Sequence, residues 1–254
     1  MILNQCIARP LLYPAPQLQV PEAPRGIEEV TVTFDELQVV SWLKRAEQSD
    51  APVILFFHGN GENLASLHGY GQFEEFSKRL DCHFWAIDYP GYGRSQGSPS
   101  EETLVGSGLA WVQKARETFT EQPLVVVGWS LGAAVSSQVV AQSKTKVDGL
   151  VLISAWHDLH SLASEHFPGF LVSLLLSDKY ESYRAAASIP LNTLLIHGAH
   201  DNIIPHSQGQ RLAGAFASNK FVTINNAGHN DIFSRENVWQ EISAKISEIR
   251  AVAK

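Results

Sequence analysis

Residues 125–135 read Val-Val-Val-Gly-Trp-Ser-Leu-Gly-Ala-Ala-Val, an apolar run that meets a serine between two glycines. A serine hydroxyl is a poor nucleophile unless a base takes its proton, and the base needs a carboxylate to hold it in one tautomer. The valines and the preceding Pro123 favour a strand buried on both faces, and the composition from Leu131 to Gln142 favours a helix with a small-residue face. Ser130 then stands at a strand-to-helix corner, where Gly128 and Gly132 remove side chains that would collide. In that corner Ser130 is either a nucleophile or a helix N-cap in a glycine-rich turn, and the remainder of the chain has to decide.

The partners would have to come from later strand ends. Asp201 lies 201−130 = 71 residues beyond Ser130, and His229 lies 229−201 = 28 residues beyond Asp201, each just past an apolar run. His229 sits in a tight loop after Gly228 and is the expected base. His58 and His197 each precede a glycine at a strand end and read as hydrogen-bonding groups of their turns, while His83 falls inside a strand. His157, His160 and His166 have no common metal spacing, so no metal is expected. Asp88 reads as an organiser of its turn, Asp231 as a partner for the His229 loop, and Asp158 as the rival to Asp201 for the acid. An oxyanion would need two N–H donors, expected from the backbone of Leu131 and of Asn60 in His58-Gly59-Asn60-Gly61.

The elements that position these residues alternate. "PVILFFH", "CHFWAIDYP", "PLVVVGW", "VDGLVLISA", "PLNTLLIHG" and "KFVTINNA" read as strands, with helices expected at 64–80, 100–119, 131–142, 205–217 and 236–251. Such alternation predicts a parallel sheet covered on both faces, with ligands beyond the carboxyl ends of the strands. "IEEVTVTF" and "LQVVSWLKR" read as a hairpin around Asp35-Glu36, and the five prolines between 10 and 24 as an extended arm. The expected organisation is an N-terminal arm over 1–26 and a single domain over 27–254, with a short cap inserted at about 155–189.

With 254 residues, 44% hydrophobic and 18% charged, the chain can bury a large core, and a net charge of −7 without a basic run argues against nucleic acid. Cys6 and Cys82 read as free thiols, compatible with a reducing compartment. The N-terminal residues have neither the basic start nor the long apolar stretch of a signal peptide, and the longest apolar run, "FLVSLLL", is too short to span a bilayer. The expectation is a cytoplasmic protein with no visible membrane anchor, open to peripheral membrane contact; the composition says nothing of its oligomeric state.

Five motifs in order, "HGNGEN", "DYPGYGRSQGSPSE", "GWSLG", "HGAHDNIIP" and "NAGHND", resemble the α/β-hydrolase superfamily. They are most similar to the serine hydrolases with an HGNGxN oxyanion loop, a subgroup with bacterial members of unassigned substrate and membrane-tethered members that act on acylated proteins or lipids. The resemblance covers about residues 27 to 250. It implies an eight-stranded, mostly parallel sheet and places nucleophile, acid and base on Ser130, Asp201 and His229. It also implies hydrolysis of a small-molecule ester or acyl substrate without a cofactor. Short to medium acyl chains are expected, with an acyl-protein thioesterase, or a lysophospholipid or monoacylglycerol hydrolase, as the alternative. A binding module on a hydrolase scaffold is the non-enzymatic alternative. Trp129, Trp156, Phe167 and Phe170 are the expected pocket residues, Trp156 at a strand end and the two phenylalanines in the apolar stretch 167–176 of the cap.

Overall fold

The β-branched and aromatic runs pair into one sheet. In the computed structural model, which describes residues 12–15 and 21–252, the strands are β1 (Glu28–Phe34), β2 (Leu37–Lys44), β3 (Val53–Phe57), β4 (His83–Ile87), β5 (Leu124–Trp129), β6 (Gly149–Ile153), β7 (Thr193–Gly198) and β8 (Asn219–Ile224). Their order is β1-β2-β4-β3-β5-β6-β7-β8. β1 and β2 form an antiparallel hairpin, β2 pairs antiparallel with β4, and every later pair is parallel. The hairpin turns at Asp35 and Glu36, whose φ of 47° and 64° place both in the left-handed backbone region, as a two-residue turn matched to the right-handed twist of its strands requires.

The strands β3 to β7 are buried along their whole length, as uninterrupted apolar runs between two helical layers must be. One core lies between the sheet and the side that carries α3 (Glu101–Thr118) and α4 (Leu131–Gln142), with Phe57, Trp85, Trp111 and Val139 among its members. A second, with Phe56, Phe76, Phe84 and Trp239, packs α2 (Gln72–Leu80) and α9 (Glu236–Val252) on the other face.

The helix expected at 64–80 is two helices. α1 (Leu64–Gly69) stops, Gly71 turns with φ of 74°, and α2 restarts at Gln72. Asn63 caps α1 and Ser100 caps α3, each in a reciprocal box with the residue three positions on. The region expected as a cap holds α5 (Leu159–Ser164), α6 (Gly169–Leu175) and α7 (Ser182–Ser188), followed across β7 by α8 (His206–Ala213). The expected arm over 1–26 lies in part, and Cys6 wholly, outside the described residues; Cys82 is buried with a free thiol. Among the described residues no helix is long and apolar enough to cross a membrane.

Candidate active site

Parallel strands carry their carboxyl ends to one rim, and the loops there bring the sequence-distant residues together. Ser130 leaves β5 with φ of 57° and ψ of −118°, a conformation that costs a non-glycine residue of order 1–3 kcal/mol. Its N–H is fixed to the Ile153 carbonyl at 2.9 Å. The corner requires glycine beside it: a Cβ on Gly132 would stand 1.9 Å from the Phe57 carbonyl oxygen, and one on Gly128 would stand 2.3 Å from the Gly132 oxygen. This answers the N-cap alternative. The Ser130 side chain makes no capping bond to α4; its hydroxyl points instead at His229 Nε2, 3.0 Å away.

His229 Nδ1 lies 2.8 Å from Asp201 Oδ2, so the carboxylate holds Nδ1 as the protonated nitrogen and leaves the Nε2 lone pair for the serine. Asp201 Oδ1 accepts the Ile203 and Ile204 N–H groups at 3.0 and 2.8 Å. Burial pushes the Asp201 carboxyl up. The hydrogen bond and charge of His229 and the backbone N–H groups outweigh it, and the group is held below the usual carboxylate range. His197 donates to the Ile204 carbonyl at 2.9 Å behind this loop, and burial lowers its pKa. Ser130, Asp201 and His229 are each buried, with a few per cent of their surface reached by solvent.

The rival carboxylates are occupied elsewhere. Asp158 caps α5 through the Ser161 N–H at 2.7 Å and accepts from His157 Nδ1 at 2.8 Å. Asp88 accepts the Leu64 N–H at 3.0 Å and faces His58 Nε2 at 3.4 Å; its burial raises its pKa. Asp231 accepts the Gly228 N–H at 2.7 Å and pairs with Arg235, which ties the loop that presents His229. The three cap histidines disperse: His157 stacks on Tyr183, His160 meets Ser173 and His166 meets the Ile203 carbonyl. Among the described residues no group of three or more His, Cys, Asp or Glu side chains could hold a metal ion.

Leu131 is the first residue of α4, where a helix leaves its N–H groups without intrahelical acceptors. Across from it, the 58–61 loop lies so close that a Cβ on Gly132 would also meet the His58 oxygen at 2.7 Å. In that loop the Gly59 N–H is taken by Glu62 Oε2 at 3.1 Å, and the Gly59 carbonyl accepts from His58 Nδ1 at 2.8 Å. The Asn60 N–H has no acceptor among the described residues. Sequence reasoning did not find Glu62. Burial raises its carboxyl against the pull of His58, the Gly59 N–H and His229, and only the folded loop places it among those groups.

The expected pocket residues divide. Trp129 is 8% exposed, and its ring lies against His229 with centroids 5.4 Å apart and a tilt of 30°, and against Phe233 in a T-shaped contact. Trp156 is buried and meets Tyr180 edge-on. Phe167 and Phe170 are 64% and 72% exposed, on an open surface rather than in an enclosed pocket. The short α6 turns Val172 inward and leaves Phe170 with Leu171 and Leu174 on an apolar face of the cap, and Phe167, just before the helix, is exposed as well.

The fold agrees with what the chain is similar to. Residues 52–174 match the family model of the alpha/beta hydrolase fold. The uncharacterized protein Rv2307c of Mycobacterium tuberculosis is 30% identical over 239 residues, covering 88% of this chain and 80% of the relative. The chain belongs to the α/β-hydrolase family. The lysophosphatidylserine lipase ABHD12 of Danio rerio is 29% identical over 195 residues, 70% of this chain and 51% of that protein. Among solved structures, the Pyrococcus furiosus esterase Pf2001 superposes with a TM-score of 0.75 at 17% identity, covering 92% of this chain and 96% of that one. Est1E from Butyrivibrio proteoclasticus, with ferulic acid bound, gives 0.68 at 15% identity over 89% of this chain and 100% of its own.

Proposed function

We propose that this protein is a serine hydrolase that cleaves carboxylic esters of short to medium acyl chains through an acyl-enzyme. The observation that carries the reading is the continuous hydrogen-bonded line from Ser130 Oγ through His229 to Asp201 at the rim of the sheet. Ser130 Oγ attacks the acyl carbonyl while His229 Nε2 takes its proton, and Asp201 stabilises the imidazolium that forms. The N–H groups of Asn60 and Leu131 hold the oxyanion. His229 then protonates the departing alcohol. In the second half it takes a proton from water as the water oxygen bonds to the acyl carbon, then gives that proton to Ser130 Oγ as the acyl–Oγ bond breaks and the acid leaves. The chain's own groups supply every step, so the reading calls for no cofactor and no metal.

A lipid or acyl-protein substrate is the second reading. It is favoured by the open face of Phe167, Phe170, Leu171 and Leu174, which would suit peripheral contact with lipid, and by the similarity to a lysophosphatidylserine lipase. A cytoplasmic location, with no nucleic-acid partner, fits either. The test is reaction with a fluorophosphonate probe, followed by p-nitrophenyl esters from acetate to palmitate and the matching thioesters. Labelling at Ser130, lost in Ser130→Ala, with best turnover of short and medium esters, is the expected result. Preference for long chains or thioesters would select the second reading. A folded protein that neither labels nor turns over ester would leave the scaffold as a binding module.

A further inference from the structure

The Asn60 side chain is held at both ends. Its Oδ1 accepts from the Tyr92 hydroxyl at 2.7 Å, and its Nδ2 donates to the Leu12 carbonyl at 2.6 Å. Tyr92 is wholly buried and belongs to the "DYPGYGRS" loop after β4, whereas Leu12 belongs to the segment before the first strand. Both ties come from outside the loop they restrain. That loop has reason to need them. Gly59 and Gly61 flank Asn60, Gly61 with φ of 80°, so from within the loop the peptide between Gly59 and Asn60 is held by the bond from His58 Nδ1 to the Gly59 carbonyl, with little backbone stiffness beside it. Its neighbour Tyr89 adds a third support, donating to the His58 carbonyl at 2.8 Å.

The segment that supplies the Leu12 carbonyl is itself anchored. Tyr13 is 3% exposed, and its hydroxyl donates to Asp178 Oδ2 at 2.5 Å and lies 2.8 Å from the Tyr180 hydroxyl. Burial, with Tyr180 and Asp178 nearby, keeps the Tyr13 hydroxyl protonated and hence a donor. Asp178 Oδ2 also accepts the Glu101 N–H at 3.2 Å, and the Glu101 carboxylate accepts the N–H groups of Lys179 and Tyr180 at 2.7 and 3.0 Å. Pro14 lies beside Gly61, with its Cγ 3.8 Å from where a Cβ there would stand. The segment therefore runs from the cap and the start of α3 to the loop that carries Asn60.

We infer that Leu12–Pro14 and Tyr92 are positioning elements of the hydrolytic site, clamping the Asn60 side chain so that its backbone N–H stays aimed at the oxyanion. The inference rests on the serine-hydrolase reading. A purely structural clamp would alter stability alone, whereas a positioning clamp acts on the transition state. Its loss should lower kcat and leave KM, set by ground-state contacts, nearly unchanged.

The experiment uses the full chain with Asn60→Ala, Tyr92→Phe and Tyr13→Phe, assayed on p-nitrophenyl acetate and with a trifluoromethyl ketone as the oxyanion-forming inhibitor. Removal of an oxyanion donor typically costs ~10²–10³ in kcat. A donor that is loosened rather than removed should cost less, about 10- to 100-fold for Asn60→Ala and Tyr92→Phe, and a smaller loss for Tyr13→Phe. KM should stay within about threefold, and ketone affinity should fall in proportion to kcat/KM. Amide exchange across residues 58–62 should accelerate in the same variants while the rest of the sheet keeps its protection. Turnover and ketone affinity within twofold of the parent in both Asn60→Ala and Tyr92→Phe, with Ser130→Ala inactive, would overturn the clamp and spare the hydrolase reading. Unchanged exchange across 58–62 would also overturn it. A parent chain inert toward every ester would sink the hydrolase reading instead, and the exchange measurement would still report on the clamp.

Discussion

Asp201→Asn isolates the electrostatic part of the site with little change of shape. The amide oxygen can keep the bonds that Oδ1 accepts from Ile203 and Ile204, so the loop should hold its path. The amide nitrogen would then replace Oδ2, 2.8 Å from His229 Nδ1. An amide nitrogen donates, so Nδ1 must become the acceptor and the ring proton moves to Nε2. Nε2 faces Ser130 Oγ at 3.0 Å, where a protonated nitrogen cannot accept the serine's proton. Such a tautomer reversal costs about 10⁴ in kcat where it has been measured in Ser-His-Asp sites. At about 1.36 kcal/mol per tenfold, that is about 5.4 kcal/mol of transition-state stabilisation. The assay is steady-state hydrolysis of p-nitrophenyl acetate beside fluorophosphonate labelling, with circular dichroism and thermal melting to verify the fold. A folded variant that loses less than tenfold in kcat would refute the role of Asp201 and reopen the search for the acid.

Three further outcomes follow from the same geometry. Gly132→Ala should cost roughly 3 kcal/mol or more and reduce soluble yield, because its Cβ would stand 1.9 Å from the backbone oxygen of Phe57; a wild-type melting temperature would contradict the packing of the corner. The separate contributions of His197 and Asp201 to stability should fall on acidification in two stages, read as the difference in urea midpoint between the parent and the His197→Gln or Asp201→Asn variant. His197 is held low by burial, so its contribution is complete above about pH 6.5, where the unfolded imidazole is neutral, and declines as pH falls toward the lower folded value. Asp201, held below the ordinary range, contributes above about pH 4 and is lost as pH falls through its folded value; a parent advantage over His197→Gln that grows between pH 7 and 5 would be the wrong sign. Phe170→Asp, at a position 72% exposed, should change stability by no more than about 0.5 kcal/mol and spare acetate hydrolysis while weakening turnover of longer chains; an unchanged chain-length profile would exclude the α6 face from substrate contact.

Much of this protein was legible in order and type. Strand and helix alternation announced the layered sheet, and the glycines around Ser130 announced a tight corner, because periodicity and φ/ψ permission are local properties that a sequence carries openly. The spacing of Ser130, Asp201 and His229 was enough to nominate them, since in a parallel sheet every strand end returns to one rim. The break between α1 and α2 was not legible: a helical apolar pattern runs through 64–80, and the left-handed turn at Gly71 overrides it. Nor was the exposure of Phe170, since an apolar helix can turn either inward or outward until its neighbours are known.

By itself, then, the sequence determined which side chains could do chemistry and which backbone positions could bend to present them. The tertiary structure decided which of the competing carboxylates meets His229, because Asp88, Asp158 and Asp201 are alike as residues and differ only in what surrounds them. It also decided that Tyr92 and Leu12 bear on the 58–62 loop. Those contacts join segments far apart in the chain. Hydrogen bonds of 2.6 and 2.7 Å depend on where folding carries their partners, and no spacing along the chain encodes that.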